Sequence, residues 1–209
     1  MHKALIKSQN KAFIELPDED LLIEFLKDEI GSNIDQFRAW YRISKKTFTS
    51  IDPLFGKDYV QRSRIATLIY TLKSGKLVYH IGEINDLGKS HGVGLMIVPF
   101  ELISEAYYQS GYICGRQKYL MYHVRPWGEI QFRKFMISSK MHRKTNGYYQ
   151  ELTKNGDVTQ EGYCRSHKYG GEIKSYSDNS KKYVNSRTAW AWKLSKYGKA
   201  IDGHDNIWY

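Results

Sequence analysis

Between Lys140 and Asn185 the chain writes one short β unit twice, and that repetition limits the folds open to it. Met141-His142-Arg143-Lys144-Thr145-Asn146-Gly147 leads through a polar and aromatic segment to Lys154-Asn155-Gly156-Asp157. Gly171, 24 residues after Gly147, leads likewise to Asp178-Asn179-Ser180, and His167-Lys168 repeats His142-Arg143 with one extra residue. A period of this size marks a supersecondary unit that cannot bury its apolar face alone and stacks on its neighbours. Two copies are too few for a free solenoid. The rest of the chain is therefore expected to cap or extend the same sheet.

Local patterns fill in that frame. Pro17-Asp18-Glu19-Asp20 opens a helix with acids at its positive end, Leu21, Leu22, Phe25, Leu26 and Ile30 form one stripe, and Gly31 stops it. A second helix starts near Ser32-Asn33 and presents Ile34, Phe37, Trp40 and Tyr41 at helical spacing, as core. Residues 64 to 72 read as a strand that turns at Lys73-Ser74-Gly75-Lys76 into Leu77 to Ile84. Leu95 to Val98 reads as a short buried strand, and Phe100 to Tyr108 as a helix closed by Gly111. From Tyr112 onward, turn signals recur about every ten residues, the spacing of an antiparallel meander. Lys118 to Arg125 and Glu129 to Ile137 are expected to pair as a hairpin. Ser186 to Tyr197 fits helix and strand equally, and the aromatic residues of 201–209 suggest docking on the body or a partner. The fold class expected is α+β: a helical N-terminal part plus an antiparallel β-sheet and meander with two repeat-like β units. The expected divisions are a partly ordered tail over 1–16, an α+β part over 17–111 and a basic aromatic-rich β part over 112–209, or one continuous domain.

The formal net charge of +10 lies in one half of the chain. Residues 1–108 hold 14 basic and 14 acidic residues; residues 109–209 hold the other 18 basic and 8 acidic ones, with 11 of the 17 tyrosines. A basic surface interleaved with rings neutralises phosphates and stacks on bases. The competing reading makes these lysines solvated strand faces and the tyrosines strand formers. The cations expected to bind are Arg116, Lys118, Arg125, Arg133, Lys134, Lys140, Arg143, Lys144, Lys168, Lys181 and Lys182. The rings are Tyr119, Tyr122, Trp127, Tyr148, Tyr149 and Tyr176. On a strand, Lys118, Leu120 and Tyr122 share one face. The partner expected is DNA or RNA, or else an acidic protein gripped by the same basic surface. No long apolar run or secretory segment occurs, and Cys114 and Cys164 are no disulfide framework, so a reducing, cytoplasmic setting without membrane insertion is expected.

Two resemblances attach to particular residues. His-Arg, a glycine and then an Asn-Gly or Asp-Gly turn resembles a short repeat of tailed-phage proteins of unassigned function, with Tyr148-Tyr149 and Glu172-Ile173 in place of its Pro-Ala. It implies a phage origin, hence a host-cytoplasm location and a host-takeover or anti-defence role if the partner is a protein. Ile69-Tyr70, His80-Ile81-Gly82 and Leu87 resemble the opening of the GIY-YIG nuclease family. That resemblance implies Tyr70 beside a nucleophilic water, His80 in the place of the second motif tyrosine, and Glu101 or Glu105 as the carboxylate for a metal such as Mg. Leu68 stands where the first glycine belongs, and the helix arginine has only Lys89 near its place. No cofactor is otherwise expected. Lys89 to Gly94 could form a glycine-rich anion loop, but it lacks the Walker and dinucleotide patterns. Asp157, Glu172 and Lys174 fit an alternating strand more economically than a nuclease triad, and Cys164, His167 and His142 lack the paired spacing of a zinc site.

Overall fold

The computed structural model describes residues 14–55, 59–72, 74–141, 144–165, 168–176 and 183–187. For 141, 144–146, 164–165, 168–176 and 183–187 it describes the backbone alone. Two helices, α1 (Glu19–Ile30) and α2 (Ile34–Phe48), precede ten strands: β1 (Arg64–Thr71), β2 (Leu77–Ile84), β3 (Ser90–Val98), β4 (Leu102–Gln109), β5 (Tyr112–Val124), β6 (Ile130–Met141), β7 (Lys144–Leu152), β8 (Val158–Arg165), β9 (Lys168–Tyr176) and β10 (Tyr183–Arg187). Every strand pairs antiparallel with its sequence neighbours, so one meander runs from β1 to β10 without a crossover. The fold is α+β, as the alternation of turns and short strands predicts. The sheet continues across residues 109–112, where β4 and β5 join through Ser110 and Gly111, both at positive φ.

Both helices form where expected. Leu22, Leu26 and Ile30 recur at helical spacing and are fully buried, each contributing roughly 2 kcal/mol of burial. Gly31 ends α1 at positive φ with its N–H donating to the Lys27 carbonyl at 2.8 Å. Arg38 and Arg42 of α2 bind Glu19, and Arg38 also binds Asp20, which ties the two helices across their polar edge. The Tyr41 hydroxyl donates to the Pro17 carbonyl at 2.6 Å and fixes the entry into α1. Ile14 and Leu16 already pack on the core, so within the proposed tail residues 14–16 belong to the body; residues 1–13 lie outside the described residues.

The helices lie on one face of the sheet. Phe37, Trp40, Tyr41 and Phe48 meet Tyr79, Ile81, Leu95, Ile97, Ile103, Leu120, Tyr122 and Phe135 there. Phe48 stacks on Phe135 at 6.3 Å, and Leu152 and Val158 extend the same cluster to the turn-proximal ends of β7 and β8.

Four hairpins close alike. Leu72 N–H donates to Lys76 O, Asn85 to Lys89, Arg125 to Glu129 and Thr153 to Asp157, each at 2.8–2.9 Å, with Gly75, Gly88, Gly128 and Gly156 at φ between 70° and 93°. Each is a tight turn whose last residue is left-handed, a position glycine fills without steric cost.

Two expectations change. Phe100 to Tyr108 is no helix: Phe100 takes φ 61° in a tight turn and Leu102–Gln109 is strand β4. Buried on both faces, β4 shows no polar alternation, which leaves its apolar run indistinguishable from helix in the sequence. Nor does the buried strand begin at Leu95 after a glycine-rich loop: β3 starts at Ser90, so all of Lys89 to Gly94 but Lys89 is strand. Of the C-terminal segment, Ser186 and Arg187 end β10; residues 188–209, with the aromatic tail, lie outside the described residues.

Candidate nucleic-acid interface

Register decides which side chains share a surface. Across β4, β5 and β6, Glu105 stands opposite Lys118 and Lys118 opposite Ile137, all on the helix-bearing face. Lys118 is 2 % exposed. Its ammonium donates to the carbonyls of Phe48 (3.4 Å), Ile51 (3.1 Å) and Asp52 (3.2 Å), pairs with Glu105 at 3.4 Å and lies 4.2 Å from the Phe48 ring centroid. Burial pulls this ammonium below the ordinary lysine range, and the Glu105 carboxylate opposes that pull. Glu105 in turn accepts from the N–H groups of Leu54 (3.0 Å) and Phe55 (3.2 Å). The pair fastens the connector after α2 to the sheet, so Lys118 cannot reach a phosphate. Tyr122, buried and bonded to Thr47 at 2.9 Å, and Tyr149, fully buried, leave the binding set for the same reason.

Beyond this covered region the same face carries a different set. Arg116 stands opposite Ser139, Gln150 opposite Glu161, and Tyr148 opposite Tyr163. Arg116 is exposed, Tyr148 is 39 % exposed, and Ser139, Gln150, Glu161 and Tyr163 are half-buried. The Tyr148 and Tyr163 rings meet edge to face at 5.5 Å. Glu161 accepts from the Tyr148 hydroxyl and from the Gln150 amide at 3.2 Å, which fixes the rings' tilt. Two oriented rings on the same face as an exposed guanidinium can stack bases and hold a phosphate of the same strand. Sequence reasoning found Arg116 and Tyr148 and missed Tyr163, Gln150 and Glu161. Folding the chain evenly about the Asn155-Gly156 turn pairs Gln150 with Gln160 and Tyr148 with Gly162; the register shift next to Leu152 is what brings Glu161 and Tyr163 opposite them.

The other predicted cations scatter. Arg133 is exposed beside a register shift between β5 and β6. Lys134 pairs with Glu151 at 2.7 Å, and Lys140 lies 5.8 Å from the Tyr119 ring, both on the face opposite the helices with Tyr119. Arg125 donates to Gln131 at 2.8 Å and lies 5.7 Å from the ring of Trp127, itself 72 % exposed at a turn. Arg143, Lys181 and Lys182 lie outside the described residues, as do His142 and His167; for Lys144, Lys168, Tyr176 and Cys164 only the strand is described.

The nuclease constellation is not assembled. Leu68, His80, Met96 and Ser104 stand opposite one another across β1 to β4, which puts His80 and Tyr70 on the face away from the helices and Glu105 on the other. Glu101 sits in the turn before β4, paired with Lys76. His80 is wholly buried, and burial lowers its pKa to about 4; burial also raises that of Tyr70, whose hydroxyl lies 3.6 Å from Met96 Sδ. Among the described residues no three His, Cys, Asp or Glu side chains are grouped to hold a metal. No helix among them is long and apolar enough to cross a membrane. No family model matches this chain, and no curated protein matches it either.

Proposed function

We propose that this chain is a nucleic-acid-binding accessory protein that takes single-stranded DNA or RNA along the part of the sheet the helices leave open. The observation that carries this reading is the Tyr148–Tyr163 ring pair on the same sheet face as exposed Arg116, two strands away, where α1 and α2 close the other end of that face. The basic excess of residues 109–209 supports it, because strands β5 to β10 fall in that half. Contacts of this kind track the backbone and stack on any base, so affinity should depend strongly on salt and weakly on sequence.

The test is fluorescence anisotropy of labelled single-stranded DNA and RNA between low and high salt. Binding should weaken log-linearly with salt, by about 0.7 per neutralised phosphate. Tyr148→Ala and Tyr163→Ala should each cost roughly 1–3 kcal/mol of binding. Arg116→Glu should weaken binding and flatten the salt slope. Absence of binding at low salt, with a stoichiometric complex to an acidic protein instead, would replace this reading with the protein-partner one.

A further inference from the structure

The face away from the helices holds a histidine with no polar partner. Residues Gly82, Gly94 and Ala106 stand side by side there across β2, β3 and β4. The His80 ring lies over this row of small residues: a Cβ on Gly94 would fall 2.5 Å from its Cε1, and one on Gly82 would fall 3.1 Å from its Nε2. Tyr108 of β4 reaches over the same row and meets the imidazole edge to face, with centroids 4.9 Å apart. The ring is fully buried, and among the described residues neither of its nitrogens nor the Tyr108 hydroxyl has a hydrogen-bond partner.

The charge around this ring is one-sided. Among the described residues of the adjoining strands, Tyr108 and, from β1, Tyr70 are the buried titratable groups on its face, and burial raises the pKa of both; exposed Arg64 at the start of β1 adds a positive charge on the same face. Met96 of β3 is apolar, and β2 itself adds no other titratable group on this face. The carboxylates of these strands point away: Glu105 pairs with Lys118, and Glu83 accepts the N–H groups of Arg62 (3.2 Å) and Ser63 (3.1 Å). An imidazolium here would have no counter-ion and no acceptor for its two N–H groups.

We propose that His80 is an acid-operated release in the β2–β4 packing: proton uptake by its ring favours opening of this face. Above the ordinary histidine range the ring is neutral folded or unfolded, and it leaves stability unchanged. Below about pH 6.5 the opened form takes up a proton that the closed form does not, so stability falls until the native ring titrates near pH 4.

The test compares the native protein with His80→Phe by urea denaturation from pH 7.5 to 4.5. Relative to the variant, the native folding constant should fall by up to about tenfold per pH unit below pH 6. Parallel curves for the two proteins would overturn the proposal. Should the variant not fold, ring NMR on the native protein decides. A His80 ring that stays neutral until the folded signals vanish supports the release, whereas one that titrates near 6.5 with the fold intact overturns it.

Discussion

The Lys118 ammonium closes the C-terminal end of α2 by donating to three carbonyls there and in the chain that follows, while Glu105 receives two N–H groups a few residues later. Breaking one partner of a buried pair leaves the other charge uncompensated, at a cost of about 3–5 kcal/mol. Lys118→Ala should therefore lower the unfolding free energy measured by urea denaturation by that much, whereas Arg116→Ala, two residues away on an exposed site, should change it by no more than about 0.5 kcal/mol. Part of this was legible. The alternation Lys118-x-Leu120-x-Tyr122 puts the lysine on the face of two large apolar side chains, and a core face for Leu120 and Tyr122 carries Lys118 inside with them. Net charge cannot distinguish such a lysine from Arg116, because it counts both alike.

At the scale of elements, the short repeat in the sequence is the visible end of a longer regularity. A register shift falls at Glu83, Tyr107, Ser139 and Gly162, once in each pairing of β2 with β3, β4 with β5, β6 with β7 and β8 with β9. Gly92, Gly115 and Gly147, all at positive φ, stand near the starts of β3, β5 and β7. The two-stranded unit thus recurs through the sheet, and bulges of this kind bend and twist it. The bulges differ in how closely they pack. A Cβ on Gly92 would run into the Glu83 carboxylate, whereas one on Gly115 would meet nothing nearer than the Tyr107 Cβ at 4.0 Å. Gly92→Ala should cost roughly 1–3 kcal/mol and Gly115→Ala less, as read from their thermal midpoints. Only Gly147 and Gly171 were found from the sequence. The earlier units keep the backbone pattern with other side chains, so no residue string betrays them. The same masking turned β4 into a helix in the sequence reading, because Ile103, Glu105 and Tyr107 face the helices while Ser104, Ala106 and Tyr108 are buried opposite.

For the molecule as a whole, two helices cover one end of one face of a ten-stranded sheet, and the excess positive charge lies in residues 109–209, the half of the chain that supplies strands β5 to β10. Class, the antiparallel meander of the C-terminal half and its charge follow from turns, alternation and composition. Which of the basic and aromatic residues share a surface does not, because register across six bulged pairings decides it. Register retains Arg116 and Tyr148, adds Tyr163, Gln150 and Glu161, and removes Lys118, Tyr122 and Tyr149. The proposed interface is thus a claim about one face. Backbone and side-chain NMR during titration with a single-stranded oligonucleotide reads it directly. Shifts concentrated at Arg116, Tyr148, Gln150, Glu161 and Tyr163, with Lys118, His80 and Tyr108 unmoved, are the result expected. Saturable binding that shifts Lys134, Tyr119 and Lys140 on the opposite face, and leaves Tyr148 and Tyr163 unchanged, would contradict it.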